Sequence, residues 1–218
     1  MVLTSKKVAL AAVSVLLVLL ASGCGDPQEP AANQVNQLVL SGQKIDQSLN
    51  NLTSHEQEDM KLYKSILDKG KNKNSDLEAL LDQAADHIDE RRTLLKQAEE
   101  AMKQTNEKTV DLRSSLKELS FENKETLAQA EKVLDQYEAR ARALENFIAS
   151  YQLSLSADEQ LYDLMRESAE PNLVKIKRAI RLRNSEYAKL AEFRKQFNLQ
   201  TKAFNVANAK LVQMDQAS

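Results

Sequence analysis

LAQAEKVLDQYEARARALENFIASYQLSLSADEQLYDLM, residues 127–165, decides the fold class of this chain. Steps of three and four through it select Leu127, Ala130, Leu134, Tyr137, Ala141, Leu144, Ile148, Tyr151, Leu155, Asp158, Tyr162 and Met165. Only Asp158 interrupts the apolar series. A stripe held over so many turns is the pattern of coiled-coil-like packing, since residues three and four apart share one helix face. The same spacing runs from Leu77 through Leu81, Ala84, Ile88, Arg91, Leu95, Ala98, Met102, Thr105, Thr109 and Leu112 to Leu116 and Leu119. It returns from Leu173 through Ile176, Ile180, Arg183, Tyr187, Leu190, Arg194, Phe197, Thr201, Phe204 and Asn208 to Leu211.

Helix breakers are few and divide these stripes. Gly70 follows Tyr63, Ile66 and Leu67, where a left-handed C-cap is expected, and Ser75-Asp76-Leu77-Glu78 reads as a capping box opening the next helix. Pro171 suits a first helical turn. Between positions 75 and 170 there is neither Gly nor Pro, and one helix of that length would span ~144 Å. The stripe changes phase between Leu119 and Leu127, which places a turn near residues 120–123. Ser156-Ala157-Asp158-Glu159 is a second capping-box match, read as no more than a kink because the stripe continues through it. Four helices result, at about 33–69, 75–118, 122–168 and 171–215. Short connections make neighbours antiparallel. The predicted fold is all-α, an elongated antiparallel helical bundle or coiled-coil rod. Ile148 is expected in its core and Arg140 on its outer face.

Composition agrees. The 218 residues are 28% charged and 5% aromatic, with four Gly, three Pro, one Cys and no Trp. Few turn-forming residues and little aromatic material exclude an α/β or all-β domain of this size.

The first 25 residues lie outside that pattern. Lys6 and Lys7 precede an apolar run from Val8 to Ala21 broken only by Ser14, which as a helix rises ~21 Å, too short for a ~30 Å hydrocarbon core. That is a secretory signal peptide, residues 1–23. It ends in Leu20-Ala21-Ser22-Gly23-Cys24, small residues leading directly to the sole cysteine. This arrangement resembles the bacterial lipoproteins, in which cleavage precedes a cysteine that receives a diacylglycerol. Ala21 stands where that class usually carries Leu, Val or Ile, with Leu20 one position further back. The alternative, an unmodified cysteine after an uncleaved anchor, leaves the small-residue trio without a purpose. Lipidation at Cys24 supplies the two acyl chains that stable anchoring needs. Residues 24–33, with Pro27 and Pro30, form a tether, and 34–218 a single helical domain. The mature chain loses Lys6 and Lys7 and carries a net charge of −4.

Further residues carry a more specific resemblance. Leu62-Tyr63-Lys64 with Ile66-Leu67 and Gly70, Glu90-Arg91-Arg92-Thr93-Leu94-Leu95, Gln160-Leu161-Tyr162-Asp163-Leu164-Met165, and Gln196-Phe197-Asn198 followed by Ala203-Phe204 resemble, in this order, the YkyA-type cell-wall-binding lipoproteins of Gram-positive bacteria. The resemblance implies a helical surface lipoprotein with a role at the cell wall, and brings no catalytic residues.

The chain has little material for chemistry. His55 and His87 fall on different helices with no metal-ligand spacing, and Glu56, Glu58 and Asp59 beside His55 read as solvated surface. No phosphate loop, nucleophile elbow or Cys/His pair is present. No catalytic, cofactor or metal site is expected, and the location excludes nucleic acid. One charge feature stands out. Residues 172–184 carry Lys175, Lys177, Arg178, Arg181 and Arg183 with no acid, while 158–170 carry Asp158, Glu159, Asp163, Glu167 and Glu170 against Arg166. In a hairpin turning at Pro171 these segments lie side by side. Charge pairing that aligns the hairpin is the favoured reading. The other makes Lys177, Arg178 and Arg181 a contact for an anionic polymer such as teichoic acid, or for phospholipid headgroups. The function expected is that of a non-enzymatic, membrane-anchored extracytoplasmic lipoprotein that binds the cell wall, peptidoglycan or teichoic acid. The alternative is an envelope adaptor that docks a partner protein on a coiled-coil face.

Overall fold

A computed structural model describes residue 35 and residues 42–70, 77–116, 124–166 and 172–216. Four helices account for nearly all of them: α1 (Gln43–Gly70), α2 (Leu77–Ser115), α3 (Lys124–Arg166) and α4 (Leu173–Gln216). The all-α bundle is as expected, and the described helix ends fall within a few residues of those read from the stripes except the start of α1, which is at Gln43 rather than about 33. The turn near 120–123, Pro171 and the first two residues of the capping box at 75–78 lie outside the described residues, as do Cys24, the signal peptide and the tether.

α1 packs on α2, α2 on α3, and α3 most extensively on α4. The pairing is antiparallel at each step. Arg166 reaches Glu78 and Asp82, Arg92 reaches Glu159, and Arg113 reaches Asp135 and Glu138, so α2 and α3 run in opposite directions. α3 and α4 align likewise, with Asp158 beside Arg183, Arg140 beside Thr201 and Gln129 beside Ala207. The 44 residues of α4 rise ~66 Å. α1, at 28 residues, is shorter: its first turn meets Arg140 of α3, so the other helices continue past it.

The stripes form the core. Leu81, Ile88 and Leu95 of α2, Leu134, Leu144, Ile148 and Leu155 of α3, and Leu190, Phe197, Phe204 and Leu211 of α4 are buried. Leu52, Leu62 and Ile66 add α1, and Val35 joins the same cluster. Aromatic packing links layers, with the Phe147 ring stacked on Phe197 at 6.2 Å and edge-on to Tyr151 at 5.7 Å. Thr105 and Thr109 sit in the stripe without an orphaned hydroxyl because each donates to the carbonyl four residues back, at 2.8 Å. No described helix is long and apolar enough to cross a membrane.

Two local expectations are corrected. Gly70 is the last residue of α1 rather than a left-handed cap, and a Cβ there would meet only the flexible end of Met165, with Cε at 2.7 Å. Through Ser156–Glu159 α3 runs unbroken to Arg166, in keeping with the stripe that continues there. Arg140 is not an outer residue. It is 4% exposed, donates to Asp46 Oδ1 at 2.7 Å and to Thr201 Oγ1 at 3.1 Å, and places its guanidinium over the Phe197 and Phe204 rings. An arginine can occupy this interior position because its planar cation stacks on aromatic faces while its N–H groups reach polar partners.

Candidate functional site

The charged residues that interrupt the stripes meet inside the bundle. Asp158 of α3 is 1% exposed and lies between two guanidiniums. Arg183 of α4 donates through Nε to Oδ1 at 2.5 Å, and Arg91 of α2 lies 3.5 Å from Oδ2. Tyr187 donates its hydroxyl to Oδ2 at 2.5 Å and accepts from Arg91 at 3.1 Å. On the other side of Arg91, the Asp59 carboxylate of α1 stands 2.7 Å from Nε, whose N–H is directed at the His87 carbonyl. His87 Nδ1 bonds the other Asp59 oxygen at 2.7 Å. Arg183 also lies over the Tyr63 and Tyr187 rings. Two carboxylates and two guanidiniums thus cancel in a layer spanned by all four helices.

The electrostatics follow from burial. Desolvation works against the Arg91 charge, but the oxygens of Tyr187, Tyr151, Asp59 and Asp158 outweigh it, leaving its pKa above the ordinary value. Desolvation first, then the Asp158 charge, raises Tyr187 and Tyr162. Burial likewise raises Tyr151, with Glu56 adding to it. Burial keeps these phenols neutral, and Tyr187 uses its hydroxyl to bridge Asp158 and Arg91.

Asp59 is therefore buried, not part of a solvated surface, and Glu56 beside it pairs with Arg194 of α4. His55 and His87 come together, ring centroids 6.1 Å apart and edge to face, with Glu90 3.4 Å from His55. Even so, no group of three His, Cys, Asp or Glu side chains among the described residues could hold a metal ion. The readable signal was the register. Ile45, Ser48, Leu52, His55, Asp59, Leu62 and Ile66 follow the 3-4 spacing, so α1 carries its own polar interruption opposite those at Arg91, Asp158 and Arg183.

A cleft opens beside this layer, between α1 and α4. One part, about 230 Å³, is lined by Glu56, Asp59, Met60, Arg183, Tyr187 and Arg194. A second, about 390 Å³, shares Glu56 and Arg194 and continues over Leu52, Phe147 and Phe197 toward Asp46. Its charged walls already pair with each other, Glu56 with Arg194 and Asp46 with Arg140. The arrangement holds α1 against α4. It offers no nucleophile beside an available base, the minimum for covalent chemistry.

The segment singled out for charge divides in two. Arg183 turns inward to Asp158, realising one contact of the favoured alignment. Glu159 instead goes to Arg92 of α2, at 2.6 Å, and the hydrogen bond from Arg92 holds its carboxyl below the usual range. Lys177, Arg178 and Arg181 are exposed and make no ion pair with any described residue. Among the described residues, charge alignment of this hairpin rests on the single inward arginine; Glu167 and Glu170 lie outside them.

Comparison with known proteins adds relatives at the level of fold and family. The chain is 21% identical over 203 residues to "Uncharacterized lipoprotein YkyA" of Bacillus subtilis (strain 168), covering 89% of this chain and 87% of that protein. A crystal structure of a conserved protein of unknown function from Staphylococcus aureus shares the fold, with a TM-score of 0.65 at 11% identity over 82% of this chain and 88% of that one. Residues 26–214 fit the model of the family described as "Putative cell-wall binding lipoprotein", and with this match over most of its length the chain belongs to the YkyA family.

Proposed function

We propose that the protein is an extracytoplasmic lipoprotein, held to the membrane by a diacylglycerol on Cys24, whose helical bundle binds the cell wall without catalysing a reaction. The observation that carries this reading is the junction at Cys24: an apolar signal ends in Leu20-Ala21-Ser22-Gly23-Cys24, and the family match begins two residues later. The buried charge layer supports a binding rather than a catalytic role, because each of its carboxylates is engaged by arginine. A second reading, a protein adaptor, draws on Leu199 and Val206, one heptad apart on α4 and both exposed.

Metabolic labelling with a fatty acid tests the anchor. Wild-type protein is expected to take up label and sediment with membranes, and Cys24→Ala to do neither; equal labelling of both would refute lipidation at this residue. Sedimentation of the mature protein with purified sacculi tests wall binding, and sedimentation no greater than without sacculi would sink it.

A further inference from the structure

We propose that the exposed face of α4 formed by Val174, Lys177, Arg178 and Arg181 binds a phosphodiester polyanion of the wall, of the teichoic-acid class; this deepens the cell-wall reading above and rests on it. Positions 174, 177, 178 and 181 share one helix face, directed away from the buried Ala179, Arg183 and Glu186. Lys175 widens the charge at its edge, and all four cations are exposed.

Two of the acids expected opposite this face are used elsewhere, and Glu167 and Glu170 lie outside the described residues. Asp158 is consumed by Arg91, Arg183 and Tyr187, and Glu159 by Arg92. Asp163 has no cation within ion-pairing distance among the described residues. Elsewhere among the described residues, arginines 91, 92, 113, 140, 166, 183 and 194 are paired with acids, and the exposed Arg142 is the exception. The first turn of α4 contains no acid, so like charges crowd the positive end of the helix, an arrangement that an external anion relieves. A chain of net negative charge that leaves these cations together has a local rather than a general attraction for anions.

The cell-wall reading above selects a wall polymer as the occupant of this face. Arg183 lies over Tyr63, and Met165 lies against Gly70, so the basic face is at the end where α1 finishes. The chain enters α1 from the Cys24 side, 28 residues and ~42 Å away along the helix. Leu173 and Val174, 65% and 78% exposed, provide aliphatic surface beside the cations for the carbon chain between successive phosphates.

The test uses mature lipoprotein in detergent, with purified polyglycerol-phosphate teichoic acid as the probe. Lys177→Gln/Arg178→Gln/Arg181→Gln is compared with Lys132→Gln/Lys202→Gln/Lys210→Gln, which removes the same charge from exposed cations elsewhere. The first triple variant is expected to bind at least tenfold more weakly at low salt, with a flatter salt dependence, while the second stays within twofold of wild type. Equal losses in both would mean attraction by net charge alone and would overturn the proposal. So would unchanged binding of the first variant with a lowered melting temperature, which marks the residues as hairpin-aligning. Preferential binding to phosphatidylglycerol vesicles over polymer would replace the wall by the membrane and overturn it too. Wild-type sedimentation with teichoic-acid-free sacculi but no binding to the polymer would sink this inference and leave wall binding intact. Failure with both sinks both.

Discussion

Arg140 shows what one side chain costs when a helix face is assigned by charge. Its guanidinium bonds Asp46 and Thr201 and covers Phe197 and Phe204, so its stem and head both fill interior space. Arg140→Ala removes these contacts and exposes two aromatic rings, and is expected to cost about 1–3 kcal/mol in urea unfolding, well beyond the ~0.5 typical of a surface change. Ile148→Ala, a deletion in the middle of the core, is expected to cost about 2–4 kcal/mol. An Arg140 variant indistinguishable from wild type would show that the ring contacts contribute nothing in solution.

At the scale of elements, the bundle is two hairpins, α1–α2 and α3–α4, and arginine joins them. Arg91, Arg92 and Arg113 reach from α2 to α3, Arg166 reaches back to α2, and Arg140 and Arg194 bind α1. Lys96 and Lys189 pair only within their own helices. The rigid, multiply donating guanidinium suits such interhelical contacts better than a flexible ammonium. These clasps are not equal. Arg113 and its acids are solvated, so Arg113→Gln should change stability by ~0–1 kcal/mol. Asp158→Asn leaves Arg91 and Arg183 in a buried layer with one charge uncompensated, and a loss of about 3 kcal/mol or more is expected. Denaturant titration of both variants decides the matter; equal, small effects would show that water or rearrangement relieves the buried charge.

For the whole molecule, the neutral phenols set an alkaline limit. Tyr151, Tyr162 and Tyr187 are all raised above their ordinary value of 10, with burial as the leading cause. A group with a raised folded pKa binds its proton more tightly in the native state. Its contribution is complete below the unfolded value and disappears as pH climbs through the folded one. Stability should therefore hold from neutrality to about pH 10 and fall steeply beyond it. Phenolate absorbance should appear together with loss of helical circular dichroism. Tyrosine ionisation that precedes unfolding by a full pH unit would show these hydroxyls to be more accessible than the burial implies.

Helix number, helix type and most of the core were readable from residue order, because the 3-4 period is a local property: packing one face of a helix needs nothing but regular spacing. Leu81, Leu95, Leu144, Ile148 and Leu155 are buried as that period requires. The family resemblance is equally local, being strings of adjacent residues, and so is the proposed lipidation motif at Cys24. Arg91, Asp158 and Arg183 lie on the stripes and Asp59 on the spacing of α1, but what each meets in the core was decided only by tertiary structure. Asp59 and Arg140 look like surface in isolation, since a charge is tolerated inside only when another element brings a counter-charge or an aromatic face to it. Asp59 meets its arginine on α2, Arg140 meets its acid on α1 and its rings on α4, and Asp158 draws on α2 and α4 together. The exposed basic face arose the same way. Its charge was visible in the chain, but that Glu159 turns to Arg92 instead, and that no other described acid pairs with it, was not. Spacing along one helix cannot specify that choice, because it is made by the distances between helices.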